Sequence, residues 1–236
     1  MTKLDELSLF LPTYNEQDNI TETVEKADKV LKKVANKYEI LVVEDGSKDN
    51  TAKVVRDLMK KHKHLRMVQH KPNRGYGGAL KTGFQETKYD PVVFTDSDGQ
   101  FDFSEVTKLI EKLQKTDADL VIGYRMKRND HPIRLMIGTM LKIWNLFWFG
   151  MWVRDTDCGF KLIRRHVLKA VMPLKSNGGI ISTEFLAKVK HHGFNIKQVG
   201  VHHYPRKAGK STGGNPSVIL KAVTETFRIW QDLNLR

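Results

Sequence analysis

Apolar positions along the chain fall into short continuous runs separated by stretches with helical spacing. LSLFL at 7–11, EILVV at 39–43, LRMVQ at 65–69, PVVFTD at 91–96 and DLVIG at 119–123 each read as a buried strand. A helix pattern runs from about Asp18 to Ala35. A second runs to about His62, with Asp49 or Asn50 available as its cap. NRGYGGALKTGF opens a further helix through a glycine-rich turn. Strands alternating with helices predict an α/β fold, a mostly parallel twisted sheet with helices on both faces. Loops leaving such strands gather at the carboxyl edge, where open α/β sheets bind ligands.

The second half has a different pattern. An aromatic-rich apolar segment, 133–153, carries Trp144, Phe147, Trp148, Phe149 and Trp152. RDTDCGFKLIRR follows at 154–165. A helix pattern comes at 182–192, a strand at about 194–201, a basic glycine-rich loop at 204–215 and an amphipathic helix from Ser217 to about Leu233. Arg134 and Lys142 interrupt 133–153, so it falls short of the roughly 20 apolar residues that a membrane span needs. It is either a core helix or an interfacial one, with its tryptophans at headgroup level. There is no repeat or linker, and one domain over 1–236 is the expectation.

Composition adds one feature to this picture. Forty Lys and Arg against 27 Asp and Glu give a net charge of +13. The excess is either a solvated basic surface or a surface for anionic partners: nucleic acid, an anionic membrane face or phosphorylated substrates. The sole cysteine, Cys158, leaves no intramolecular disulfide, and the first residues show no signal peptide. A cytoplasmic setting is expected.

The sharpest chemistry sits at the strand ends. Asp96 and Asp98 stand two apart after a buried run, a spacing that keeps both carboxylates on one side of an extended chain. Gln100 offers a third oxygen. Oxygen ligands of this kind suit Mg2+ or Mn2+, which takes water and phosphate at its other positions. The same residues also read as an Asp-rich turn. Asp45 closes the second run, where it can accept from a nucleobase or ribose, or cap a turn. NRGYGGALKTG lacks the ending of a phosphate-binding Walker loop, and no G-x-G-x-x-G follows the first strand. Both a P-loop NTPase and a Rossmann dehydrogenase are therefore disfavoured.

In order, PTYNE at 12–16, VVEDGSKDNT at 42–51, GYGGALKTG at 75–83 and TDSDGQ at 95–100 resemble family-2 glycosyltransferases of the GT-A fold. VIGYR at 121–125, RDTDCGFKLIRR and YPRKAGKS at 204–211 are similar to the polyprenyl-phosphate glycosyltransferase and dolichyl-phosphate mannose synthase branch. The resemblance implies a metal held by Asp96, Asp98 and Gln100. It implies a nucleoside-diphosphate sugar bound by Pro12, Tyr14, Glu16, Asp45 and Asp96, in a nucleotide-sugar half over 1–125. It implies an acceptor phosphate on Arg125 and Arg134, with Arg206, Lys210 and Ser211 from the basic loop, in an acceptor half over 126–236. Departures are Glu44-Asp45 where many relatives have D-D, and Asp157-Cys158-Gly159-Phe160-Lys161 where many have T-S-G-F-R.

The implied reaction is inverting transfer of a hexose, from UDP-glucose or GDP-mannose, by direct displacement at the anomeric carbon. A hydroxyl acceptor on a lipid or polysaccharide needs a general base, and Asp155 or Asp157 is the candidate. A polyprenyl phosphate acceptor is already an anion and needs cations instead. Asp98 is carried as catalytic through the metal. Glu184 is either a first-turn helix charge or a residue that reaches the sugar. The expected partners are the donor, a polyprenyl phosphate and an anionic membrane surface, the chain being peripheral on its cytoplasmic face. A nucleic-acid-binding protein would account for the charge. No nucleic-acid motif is present, however, and that assignment leaves Asp96 and Asp98 without a role. Nothing in the pattern specifies an oligomeric state.

Overall fold

The computed structural model describes residues 2–126, 132–206 and 217–234, with the backbone alone at 132–138, 141, 217–224 and 234. The expected Lys210 and Ser211 lie outside the described residues, as does the side chain of Arg134. Strands β1 (Leu4–Thr13), β2 (Ala35–Glu44), β3 (Leu65–Gln69), β4 (Val92–Phe94), β5 (Leu120–Arg125), β6 (Lys161–Ile163) and β7 (Ile196–Val201) form one sheet. Their order is β3-β2-β1-β4-β6-β5-β7. The helices are α1 (Ile20–Val34), α2 (Thr51–Lys61), α3 (Gly75–Glu86), α4 (Val106–Lys115), α5 (Pro132–Phe149), α6 (Arg165–Val171), α7 (Ile181–His191) and α8 (Ser217–Asn234).

The expected parallel sheet is present, with one exception. β6 is antiparallel to both β4 and β5, between which it inserts. Three residues with a lysine among them give no strand pattern in the sequence. β1 and β2 also begin earlier than their apolar runs. Leu4 pairs with Ala35 and Glu6 with Lys37, so the ladder extends into polar residues at an exposed end.

The continuous runs in β1 and β2 arise because both sheet faces are covered. Leu7, Leu9 and Leu11 alternate with Phe10 and send their side chains into different cores. The first core holds α1, α2 and α4; the second holds α3, α6 and α7. In the second, Phe10 stacks on Phe94 at 5.1 Å and meets Phe84 edge-on at 5.3 Å. Gly83 makes this packing possible: a Cβ there would lie 2.2 Å from the Phe10 ring. Gly83 thus brings the backbone of α3 directly onto β1.

β1 is the point at which strand order reverses, with β2 and β3 on one side and β4 on the other. The carboxyl ends of β1 and β4 therefore flank the crevice where open α/β sheets bind ligands. The Ser97 hydroxyl donates to the Pro12 carbonyl at 2.9 Å and ties these two ends together.

Candidate active site

The loops after β1 and β2 are built against each other. Asn15 N–H donates to the Ser47 hydroxyl at 3.0 Å, and Lys48 N–H donates to Asn15 Oδ1 at 2.8 Å. Glu16 N–H donates to Thr51 Oγ1 at 2.9 Å. Pro12, Tyr14 and Glu16 are thereby fixed along one wall, with Tyr14 exposed. Asp45 is buried. Its Oδ1 accepts from the Arg74 N–H at 2.8 Å and sits 2.6 Å from His70 Nδ1, while His70 Nε2 meets Thr82 Oγ1 at 2.9 Å. Asp45 thus positions the Asn73–Arg74 turn that starts α3.

Asp96 and Asp98 face the crevice, while Ser97 between them turns inward and is buried. The two-residue spacing therefore does what an extended chain should. Asp96 is enclosed by protein with one side toward the crevice. The Tyr76 hydroxyl donates to its Oδ1 at 3.3 Å. On the other side a Cβ at Gly159 would lie 2.3 Å from its Oδ2, so only glycine lets the 159 backbone approach. Burial, and then repulsion from Asp98, push the Asp96 pKa up to about 6, against the pull of Lys161, Tyr76 and Arg125.

Asp98 Oδ1 accepts from the Gln100 N–H at 3.1 Å. The Gln100 amide nitrogen donates to the Tyr204 carbonyl at 2.9 Å, which leaves its oxygen as the acceptor. Tyr204 N–H returns a bond to the Gln100 carbonyl at 2.8 Å, and Phe101 bridges His203. This pairing carries Arg206 into the crevice. Its guanidinium bonds Glu16 Oε1 and lies 3.8 Å from Asp98 Oδ2. Burial raises the Glu16 pKa, with Asn19 and Arg206 opposing.

The donor set fits a hard divalent cation. Among the described residues no cluster of three His, Cys, Asp or Glu side chains would hold a metal by itself. Two crowded carboxylates and one amide oxygen are instead the partial set that Mg2+ or Mn2+ completes with phosphate and water. In this structure Arg206 places a cation beside Asp98 and Glu16.

Arg125, at the end of β5, is held by Asp155. Its Nε and Nη2 donate to the two Asp155 oxygens at 2.7 and 2.9 Å. This is the forked geometry in which guanidinium and carboxylate bind best. Both residues line a cavity of about 670 Å³ with Met126, Ile143, Leu146, Met151, Trp152 and Val153, and with the cations Lys142 and Arg154. Arg154 lies over the Tyr124 ring at 4.1 Å. Asp157 is exposed and near enough to Tyr76, Arg125 and Lys161 to affect their ionisation.

Glu184 stands apart from this group. It is buried in the first turn of α7, where it accepts from the N–H groups of Lys175 at 2.8 Å and Ser176 at 2.7 Å. Burial opposes its ionisation, but these bonds and Lys188 hold its pKa below the usual value. Cys158 is buried, which pushes its thiol up to about 12 and leaves it protonated at pH 7.

Tyr76, Gly159 and Lys161 complete the site and are not singled out as site residues in the sequence. Tyr76 lies within a glycine-rich helix start that reads as packing. The signal for Lys161 is an ionisable residue inside the apolar run Phe160-Lys161-Leu162-Ile163.

Residues 8–172 match the family described as Glycosyl transferase family 2. The chain is 33% identical over 186 residues to a dolichyl-phosphate beta-glucosyltransferase of Dictyostelium discoideum, covering 71% of this chain and 56% of that protein. It is 31% identical over 222 residues to the Saccharomyces cerevisiae protein of the same name, covering 83% and 66%. The chain therefore spans between about half and two thirds of the length of these relatives. A crystal structure of glucosyl-3-phosphoglycerate synthase from Mycobacterium tuberculosis, in complex with Mn2+ and UDP-glucose, superposes with a TM-score of 0.73 at 18% identity. It covers 96% of this chain and 79% of that one. The fold is accordingly of the GT-A type.

Proposed function

The chain belongs to glycosyl transferase family 2, and from that premise we propose that it transfers a hexose from a nucleoside-diphosphate sugar to the phosphate of a polyprenyl or dolichyl lipid. The observation that carries this proposal is Arg125. It lines an apolar-walled cavity of about 670 Å³ and its charge also acts on Asp96, so one cation serves both the carboxylate of the donor site and a space suited to a lipid chain. Relatives named for transfer to dolichyl phosphate support the same acceptor.

The Pro12–Glu16 wall, with Asp45 behind the Arg74 turn, holds the nucleotide. Asp96, Asp98 and Gln100 hold Mg2+ or Mn2+, which supplies charge neutralisation for the departing diphosphate. Asp155 occupies Nε and Nη2 of Arg125 and leaves Nη1 to donate to an acceptor phosphate oxygen. That oxygen attacks the anomeric carbon. The bond from this carbon to the diphosphate oxygen breaks, and its electron pair leaves with the nucleotide. No proton moves, so no general base is needed. The engagement of Asp155 by Arg125 fits a positioning role for that carboxylate.

Membrane docking follows from the acceptor. Met140, Ile143 and Phe147 on α5, Trp152 after it and Phe227 on α8 are exposed. Lys142 and Arg154 border the same face. Apolar side chains beside cations suit the interface of an anionic leaflet. Among the described residues no helix is long and apolar enough to cross a membrane. The exposed apolar face with its bordering cations is the ground on which we propose that this region docks at the cytoplasmic leaflet.

The test supplies UDP-glucose or GDP-mannose, with Mn2+, to vesicles carrying either polyprenyl phosphate or the free polyprenol. Transfer to the phosphate from one of the donors is expected. Transfer to the alcohol alone would overturn the acceptor assignment and make Asp157 the candidate base.

A further inference from the structure

Lys161 is 1% exposed, and no step above uses it. Burying an ammonium group is costly unless its donors are satisfied. On β6, Lys161 pairs with Phe94, the last residue of β4, and with Ile122 in the middle of β5. It shares the lining of a small recess with Leu80, Phe84 and Phe185, and its nitrogen lies 5.4 Å from the Phe94 ring centroid. The ammonium then donates to two main-chain carbonyls, those of Thr156 at 3.2 Å and Cys158.

Those carbonyls flank Asp157 in the turn from Asp155 to Gly159. Both ends of that turn touch the site. At one end Asp155 forks Arg125 at 2.7 and 2.9 Å. At the other, the Gly159 backbone abuts the Asp96 carboxylate. A core-filling role would be served by an apolar residue at lower cost. An ammonium does what an apolar residue cannot: it bonds two carbonyls of one turn at once.

We propose that Lys161 is a positioning residue, whose buried ammonium clamps the Asp155–Gly159 turn and so sets both the Arg125 fork and the seat of Asp96. The acceptor side of this inference rests on the proposed function; the clamp itself does not.

The experiment compares the full chain with Lys161→Met, which removes the ammonium at similar length, and Lys161→Arg, which keeps a cation with N–H donors. In Lys161→Met, amide hydrogen exchange over 155–159 should speed up. Mn2+ affinity by electron paramagnetic resonance should fall about tenfold, as for other residues that orient metal ligands. The acceptor KM should rise about tenfold from the misplaced fork. Lys161→Arg should recover most of each. A lower Tm with exchange at 155–159, Mn2+ affinity and acceptor KM unchanged would reduce Lys161 to core filling and overturn the proposal. If Lys161→Met does not fold, Lys161→Gln decides by the same three readouts. If the wild-type chain transfers to no lipid phosphate, the functional proposal fails alone, and the exchange data still decide the clamp.

Discussion

A carboxylate seated against a second carboxylate and a glycine Cα is costly to ionise. Asp96 shows this in a pKa pushed up to about 6, well above the ordinary carboxylate range. Without metal, the folded chain holds a proton between about pH 4 and 6 that the unfolded chain has released. The associated stability is full below about pH 4 and is lost as the pH rises through about 6. Asp96→Asn should therefore stabilise the metal-free protein at pH 7, on the order of 1–2 kcal/mol given partial solvent access. Urea titrations at pH 5 and pH 7.5 should show the gain shrinking toward acid. A variant equally or more stabilised at pH 5 would refute this account of the crevice. Residues of this kind differ in how visible they are in the sequence. Asp96, Asp98 and Gln100 are neighbours in the chain and announce themselves by spacing. The hydroxyl of Tyr76 and the backbone of Gly159 reach the same carboxylate from distant segments, and only tertiary packing brings them there.

At the scale of elements, the second core depends on α3 lying directly on β1. Gly83→Ala gains about 1 kcal/mol of helix propensity. It also drives a methyl into Phe10, which Phe84 and Phe94 hold in place. Overpacking of this kind costs about 1–3 kcal/mol, occasionally more. Chemical denaturation should show a net loss of up to about 2 kcal/mol, whereas a gain would mean that Phe10 is free to move. β1, β2, β4 and β5 were legible because burial on both faces writes them as apolar runs, whereas β3, LRMVQ, is mostly half-buried and carries Arg66 and Gln69. β6 was not: it is short and contains Lys161, and its place between β4 and β5 is a matter of topology. The consequence is functional. Inserting this strand from the second half of the chain brings Asp155 and Gly159 to the carboxyl edge where Asp96 already stands.

At the scale of the whole molecule, basic charge and exposed aromatic surface coincide on the α5–α8 side. Trp148 of α5 packs on Phe227 at 6.0 Å and on Trp230 at 5.4 Å, which joins the two helices. Phe147 and Trp152 remain 78% exposed. Flotation with anionic vesicles should show binding that weakens with added salt. Phe147→Glu should reduce it at least about tenfold, from the loss of roughly 1.5–3 kcal/mol of apolar burial. Equal binding to neutral and anionic vesicles would argue against electrostatic docking. The central claim is that Asp96 and Asp98 hold the metal for sugar transfer to a lipid phosphate. Its most direct test is the transfer of radiolabelled hexose into organic-extractable lipid, in the presence of Mn2+ and polyprenyl phosphate, by the wild-type chain and by a folded Asp98→Ala variant. Metal-dependent labelling by the wild type and none by the variant is the predicted result; equal labelling by the two, or labelling indifferent to chelation, would contradict it.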